Sequence, residues 1–238
     1  MTSTWREYQQ EACDFFHKLG WDAATDVAVQ GVRTSHDIDV LVNIDHAGFK
    51  ITWVVECKAW RRPVTKLHVM GLREIVHDIG ADRGILLAES GFQSGALEAS
   101  NFTNVQVTSL KALKVSTKDE VNSSGLKNLL GKLEKASYEY WEIPKEERIN
   151  HKLRSGGPGQ YYPGIAVIQL SRDFLGQALR GVFPIQVGGA AQMFAGIASL
   201  PTKFETVEEV IHYMTPLIDD FELRISDVYS RLDGARGL

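Results

Sequence analysis

The sequence predicts an α/β sandwich in the N-terminal half of the chain and a mostly helical region in the C-terminal half. In the first half, helix and strand patterns alternate to about residue 108, in the order helix, three strands, helix, strand, helix, strand. In the second half, leucines recur at helical spacing, at Leu126, Leu129, Leu130 and Leu133. A change of pattern after Lys111 separates the two halves.

The first helix is predicted from Thr4 to about Leu19. Thr4-x-x-Glu7 has the spacing of a capping box, and Gly20 provides the stop. Apolar residues at helical spacing predict one buried stripe, formed by Trp5, Tyr8, Ala12, Phe15, Phe16 and Leu19.

Three strands follow. Alternating or apolar runs predict strands over Asp26–Val32 and Asp37–Val42, and a third strand that ends at Lys58. Asn43–Gly48 is expected to be the hairpin connection between the second and third strands.

The rest of the sandwich alternates helices with short strands. A helix is expected over Pro63–Ile79, then a strand over Arg83–Ala88, a short helix reaching about Phe102, and a last strand over Val105–Thr108. The buried side of the helix over Pro63–Ile79 is predicted to consist of Leu67, Met70, Leu72, Ile75, Val76 and Ile79.

The C-terminal region is predicted to be separate from the sandwich. Residues 1–112 form the first predicted domain, about 111–124 a polar linker, and 125–238 a mostly helical region without a catalytic motif. Ser155–Gly159 is expected to be a flexible loop. Thr206-x-x-Glu209 predicts the start of a long last helix, which Pro216 is expected to kink or break.

Composition favours a cytoplasmic protein. The 238-residue chain has two cysteines, too few for a disulfide framework, and its residue pattern leads us to expect neither an N-terminal leader nor a membrane span. Its formal net charge of −4 argues against a strongly basic nucleic-acid binder. Cations nevertheless cluster within nine positions, at Lys58, Arg61, Arg62 and Lys66, either as phosphate contacts or as a solvated basic loop.

Charged residues on otherwise apolar strands mark the candidate site. Since side chains alternate along a strand, Glu56 and Lys58 share one face, and Asp39 joins them if its strand pairs with theirs. Ile38, Val40 and Val42 are expected to fill the opposite face. Unpaired charges on nearly buried strands are costly, and a divalent metal between the carboxylates would offset that cost.

These residues resemble the Mrr-like restriction endonuclease family of the PD-(D/E)xK nuclease superfamily. The resemblance covers about residues 5–112. Its motifs are Ile38-Asp39-Val40, Glu56-Cys57-Lys58, Ala81-Asp82-Arg83-Gly84-Ile85 and the small-residue helix with Gly95, Ala96 and Ala99. Many members have glutamine in place of Glu56, so this chain carries the more strongly metal-binding version. Asp37 is the competing aspartate, but Asp39 is followed directly by the required apolar run.

The resemblance implies a fold with a mixed sheet flanked by helices. It also implies a metal-dependent DNA endonuclease that acts in restriction or defence against foreign DNA. Asp39 and Glu56 would hold Mg²⁺, which Mn²⁺ could replace, with Glu11 as a further candidate ligand from the first helix. Lys58 would stabilise developing charge. Arg61, Arg62, Lys66 and Gln93 are candidate contacts to DNA phosphates. Cutting both strands of a duplex favours a homodimer.

Other interpretations remain open at this point. The same chemistry could serve a structure-specific nuclease or nickase in repair or recombination. The fold could also belong to a non-cleaving nucleic-acid-binding protein. At the level of the site, the alternative is a structural salt bridge between Lys58 and a neighbouring carboxylate.

Overall fold

The computed structural model describes residues 4–154, 162–188 and 200–236, with side chains to residue 232. The chain divides into two compact units, residues 1–121 and 122–238. The predicted loop Ser155–Gly159 lies outside the described residues.

The N-terminal unit has the predicted order of helices and strands. Its elements are α1 (Trp5–Lys18), β1 (Asp22–Gln30), β2 (Ser35–His46), β3 (Phe49–Cys57), α2 (Lys66–Ile79), β4 (Arg83–Leu87), α3 (Ser94–Ser100), β5 (Val105–Thr108) and α4 (Leu110–Ser116). The capping box at the start of α1 is present, with the Thr4 side chain and the Glu7 side chain each accepting a backbone N–H.

The five strands form one mixed sheet in the order β1-β2-β3-β4-β5. β1 with β2 and β2 with β3 pair antiparallel, whereas β3 with β4 and β4 with β5 pair parallel. The connections from β3 to β4 and from β4 to β5 contain α2 and α3, as parallel crossovers require. The predicted α/β fold with a mixed sheet flanked by helices is therefore confirmed.

A separate core lies on each face of the sheet. Helix α1 packs its stripe, including Tyr8, Phe15 and Phe16, against one face, although Trp5 of the predicted stripe is 44% exposed. Helices α2 and α3 cover the other face. On α2 the buried apolar residues are Val69, Leu72 and Val76.

Two predicted core residues of α2 are instead on its surface. Leu67 is 76% exposed and Met70 is 45% exposed. The helix starts at Lys66 rather than Pro63, after an extended segment in which Val64 bridges to Phe92. Assigning Leu67 and Met70 to the buried side was therefore wrong, because the side facing the sheet is centred on Val69, Leu72 and Val76.

The alternation of side chains between the two faces of the sheet is interrupted in β1 and β2, at the position where Asp26 and Asp39 would pair. Ile38 packs in the core under α2, whereas Val40 and Val42 pack under α1, so the prediction that all three share a face was wrong. The register of β1 with β2 omits this one pair, and Asp26 has φ of +53°. A left-handed residue interrupts the regular alternation of a strand.

Gly84 provides a test of packing between α2 and the sheet. A Cβ at Gly84 would lie 2.8 Å from Val76 Cγ2 and 3.1 Å from a Leu72 carbon. We expect Gly84→Ala to lower the free energy of unfolding in urea by about 1–3 kcal/mol through overpacking. Gly71→Ala, on the open side of α2, is the control and should raise it by about 0.5–1 kcal/mol. Equal effects of the two substitutions would contradict this packing.

The C-terminal unit is mainly helical. Its elements are α5 (Lys118–Glu142), α6 (Lys145–Asn150), α7 (Gly164–Leu179), a two-stranded ladder of β6 (Ile185–Gln186) with β7 (Lys203–Phe204), and α8 (Val207–Arg236). The predicted leucine face of α5 is buried in one core with residues of α7 and α8.

Two features of this region differ from simple expectation. Residues 111–124, the predicted linker, are helical in α4 and α5, with Thr117 as the turn residue between the two helices. Helix α8 continues through Pro216 instead of breaking there. Among the described residues, we find no helix with both the length and the apolar character needed to cross a membrane.

Candidate active site

The candidate site begins where β2 and β3 stop pairing. Their ladder ends at the pair Val40–Val55, so the next residues of the two strands are not joined by backbone pairing. The Asp39 carboxylate occupies this opening, and its Oδ2 accepts a hydrogen bond of 2.7 Å from the Cys57 backbone N–H. Asp39 is thereby fixed beside the end of β3, where Glu56 and Lys58 lie.

Glu56 and Lys58 project at the same end of β3. The Lys58 ammonium forms an ion pair with Glu56, and their side chains are 17% and 28% exposed respectively. The Lys58 backbone N–H donates to the Leu87 carbonyl at 2.8 Å, which holds the residue against the end of β4. This ion pair fits both a metal site and a structural salt bridge. The two interpretations differ in what they expect of a third charged group nearby.

That third group is the partly buried Asp39 carboxyl. Burial raises the pKa of Asp39, and the nearby charge of Glu56 raises it further, against the opposing effects of the Cys57 N–H and Lys58. One ammonium cannot neutralise two carboxylates, so the site has an excess of negative charge when both are ionised. The second carboxylate gains no stability from a simple ion pair, which favours the metal interpretation over a structural salt bridge.

The donor set fits a divalent metal ion. Asp39 and Glu56 supply hard carboxylate oxygens, which Mg²⁺ prefers, and two ligands leave positions for water and a phosphate oxygen. Across the described residues, no group of three or more His, Cys, Asp or Glu side chains is close enough to hold a metal. Glu11 therefore does not join the two carboxylates; it is exposed and pairs with Lys114 of α4.

Sequence reasoning missed two residues near Asp39, namely Gln9 of α1 and Asp26 of β1. Gln9 of α1 is only 1% exposed, and its Nε2 lies 3.4 Å from Asp26 Oδ1 and 3.5 Å from the Asp39 carbonyl oxygen. Gln9 thus connects α1 to the interruption at Asp26. A buried glutamine in an apolar stripe was the available signal, since buried amides need partners.

Asp37 and His36, which precede Asp39 on β2, do not take part in the candidate site. Asp37 is exposed and pairs with Ala28 in the ladder, whereas Asp39 is partly buried and accepts from the Cys57 N–H. His36 Nε2 lies 2.8 Å from Oδ2 of the buried Asp78. Hydrogen bonds from Arg33 and His36 lower the pKa of Asp78, so this cluster anchors the β1–β2 turn to α2.

Basic side chains follow Lys58 directly. Arg61, Arg62 and Lys66 are exposed, and the Arg62 guanidinium lies 5.7 Å from the Trp60 ring centre. Their segment is tied to the loop after β4, since Ser90 Oγ donates to the Arg62 carbonyl at 2.8 Å. Gln93, the N-cap residue of α3, is exposed in that second loop. All four candidate DNA contacts are therefore accessible.

A mixed five-stranded sheet flanked by helices, with an acidic site and a lysine at diverging strand ends, is typical of restriction-endonuclease-like nucleases. Comparison with protein families identifies the group: residues 1–116 match the Mrr catalytic-domain family, described as restriction endonuclease. This match covers most of the N-terminal unit and is consistent with the Mrr-like nuclease family that the sequence motifs indicated.

The crystal structure of a protein of unknown function, AF1548, is 16% identical, and the match covers 90% of this chain and 98% of that one, with a TM-score of 0.40. No match was found among curated protein sequences.

Proposed function

We propose that the protein is a Mg²⁺-dependent DNA endonuclease that hydrolyses phosphodiester bonds in defence against foreign DNA. The observation that carries this proposal is the convergence of Asp39, Glu56 and Lys58 where β2 and β3 separate. The family match of residues 1–116 supports a nuclease acting on DNA. The restriction role and the cytoplasmic location are inferred from that family and from the composition.

Each residue of the site has a distinct role in the proposed reaction. Asp39 and Glu56 would hold Mg²⁺; when bound, this ion neutralises phosphate charge and lowers the pKa of its water. Asp39 is held in place by the Cys57 N–H. The Lys58 ammonium, which is paired with Glu56 in this structure, would stabilise the negative charge that develops on the phosphate.

DNA would approach along the basic segment beside the site. The exposed Arg61, Arg62 and Lys66 would contact backbone phosphates, with Gln93 from the adjacent loop. Such contacts give affinity without sequence information, so they explain binding but not a target sequence. A homodimer would supply the two active sites needed to cut both strands.

Plasmid cleavage tests the proposal. Supercoiled plasmid, methylated and unmethylated, is incubated with the full chain in Mg²⁺, in Mn²⁺ or in EDTA, and nicked and linear products are measured. We expect cleavage with either metal and none in EDTA. Preference for branched DNA in a parallel assay would indicate a repair or recombination nuclease. DNA binding without cleavage in either metal would indicate a non-cleaving protein and contradict the proposal.

A further inference from the structure

A pocket in the C-terminal unit opens at the N-terminus of α7. Its volume is about 390 Å³, within the range of small-molecule sites. The first turn of α7, from Gly164 to Ala166, forms one wall, and Tyr140, Tyr162, Arg154 and Gln169 form the others. Among the described residues, this lining contains one arginine and no acidic side chain.

The α7 N-terminus lacks a capping side chain. Pro163 is the N-cap residue and makes no side-chain cap. The backbone N–H groups of the first helical turn have no intrahelical carbonyl partner. They carry the partial positive charge of the helix dipole, which favours an anion at this wall of the pocket.

A buried hydroxyl gives independent evidence for a ligand. Tyr140 is 0% exposed, and its Oη has no hydrogen-bond partner among the described residues. A Cβ on Gly164 would lie 2.9 Å from Tyr140 Cε2 and 3.4 Å from its Cζ. The hydroxyl on Cζ is therefore next to the first turn of α7. Buried hydroxyls are rarely left without a partner, so an acceptor is expected there.

A buried cation lies behind the Tyr140 ring. Arg148 is 6% exposed, and its guanidinium carbon is 4.7 Å from the Tyr140 ring centre and 4.6 Å from that of Trp141. Two of its nitrogens, Nε and Nη1, have no partner among the described residues. Its charge adds positive potential at the pocket, where Arg154 is already in the lining.

We propose that this pocket binds a small ligand with an anionic head, a phosphate or a carboxylate, on an apolar or aromatic body. The head accepts hydrogen bonds from the first turn of α7 and from Tyr140 Oη, with Arg154 beside it. The body packs against Tyr162 and Ile165. The inference is independent of the nuclease proposal, because every residue involved belongs to the C-terminal unit.

Calorimetric titration of the full chain in EDTA tests this inference, since EDTA prevents metal-bridged binding at the nuclease site. The probes are deoxyadenosine monophosphate, inorganic phosphate and benzoate. Saturable binding of a probe supports the site, and the probe that binds best identifies the head group. No saturable binding of any probe up to about 10 mM would overturn the inference. If a short DNA duplex displaces the nucleotide, the nucleotide is bound at a DNA site, and the assignment of the pocket to a small ligand is overturned.

Tyr140→Phe removes the hydroxyl and keeps the ring. We expect it to raise the dissociation constant of the bound probe about tenfold, as loss of a charge-assisted hydrogen bond does. Without ligand, its melting temperature should equal or exceed that of the wild type, because an unpartnered buried hydroxyl is lost. Tyr138→Phe, on the same helix and 69% exposed, is the control and should change neither quantity. Unchanged binding by Tyr140→Phe, or a lowered melting temperature, would overturn the inference.

Discussion

Lys58→Met should reduce the rate of plasmid cleavage by about 10²–10³-fold, the usual effect of removing one group that stabilises transition-state charge. Methionine keeps most of the length and the apolar stem of lysine but lacks the ammonium. The side chains of this ion pair are only 17% and 28% exposed, so its loss should cost the fold some stability, and the rates are compared at a temperature where circular dichroism shows the variant folded. The expected result is therefore a folded protein that binds DNA and does not cut it.

Lys50→Met is the matched control for this experiment. Lys50 is on the same strand, is exposed, and pairs with Asp45 near the β2–β3 turn, at the other end of the ladder. We expect this variant to cleave at the wild-type rate. Cleavage rates are measured at one Mg²⁺ concentration, with circular dichroism to verify the fold. Wild-type activity in Lys58→Met would rule out the proposed role of its ammonium.

The order of the elements could be predicted because it depends on local periodicity. Helix α1 has both a capping box and a stripe, and the strands alternate or form short apolar runs. Boundaries were less accurate. The hairpin connection was predicted over Asn43–Gly48, yet β2 continues to His46 and only Ala47 and Gly48 form the turn. Both turn residues have positive φ, typical of the tight turns that suit strand twist.

The candidate site could be predicted in part for the same reason. Asp39, Glu56 and Lys58 lie in two short segments whose spacing is visible in the sequence. The approach of Gln9 to Asp26 and Asp39 joins three separate elements, and no local pattern encodes it. The change of face at Asp26 was also hidden, because the strand pattern assumes an uninterrupted alternation. Glu11 was assigned to the metal from the family resemblance, and its pairing with Lys114 depends on α4, about a hundred residues away.

Asp39→Asn is expected to abolish cleavage and yet to stabilise the metal-free protein. Burial and the charge of Glu56 raise the pKa of Asp39 in the folded state. The folded protein therefore binds this proton more tightly than the unfolded chain, and the ionised carboxylate costs stability near neutral pH. In the metal-free wild type, the stability contributed by this group should increase as the pH falls through the folded-state pKa toward the lower pKa of the unfolded chain. Asparagine removes that dependence, and its Oδ1 can still accept from the Cys57 N–H.

Urea unfolding with EDTA and with Mg²⁺ separates the two effects. At a Mg²⁺ concentration about tenfold above its dissociation constant, the wild type should gain about 1.4 kcal/mol of unfolding free energy. Asp39→Asn should gain little, because one of the two carboxylates is lost. Asp37→Asn, an exposed neighbour on β2, is the control and should respond to Mg²⁺ like the wild type. If Asp39→Asn is less stable than the wild type in EDTA, the carboxylate contributes to the fold; if it also keeps the full Mg²⁺ response, Asp39 does not hold the metal. We expect Asp39→Asn to be more stable than the wild type in EDTA and to gain little stability from Mg²⁺. That combination would mean that the Asp39 carboxylate serves the reaction at a cost to the stability of the fold.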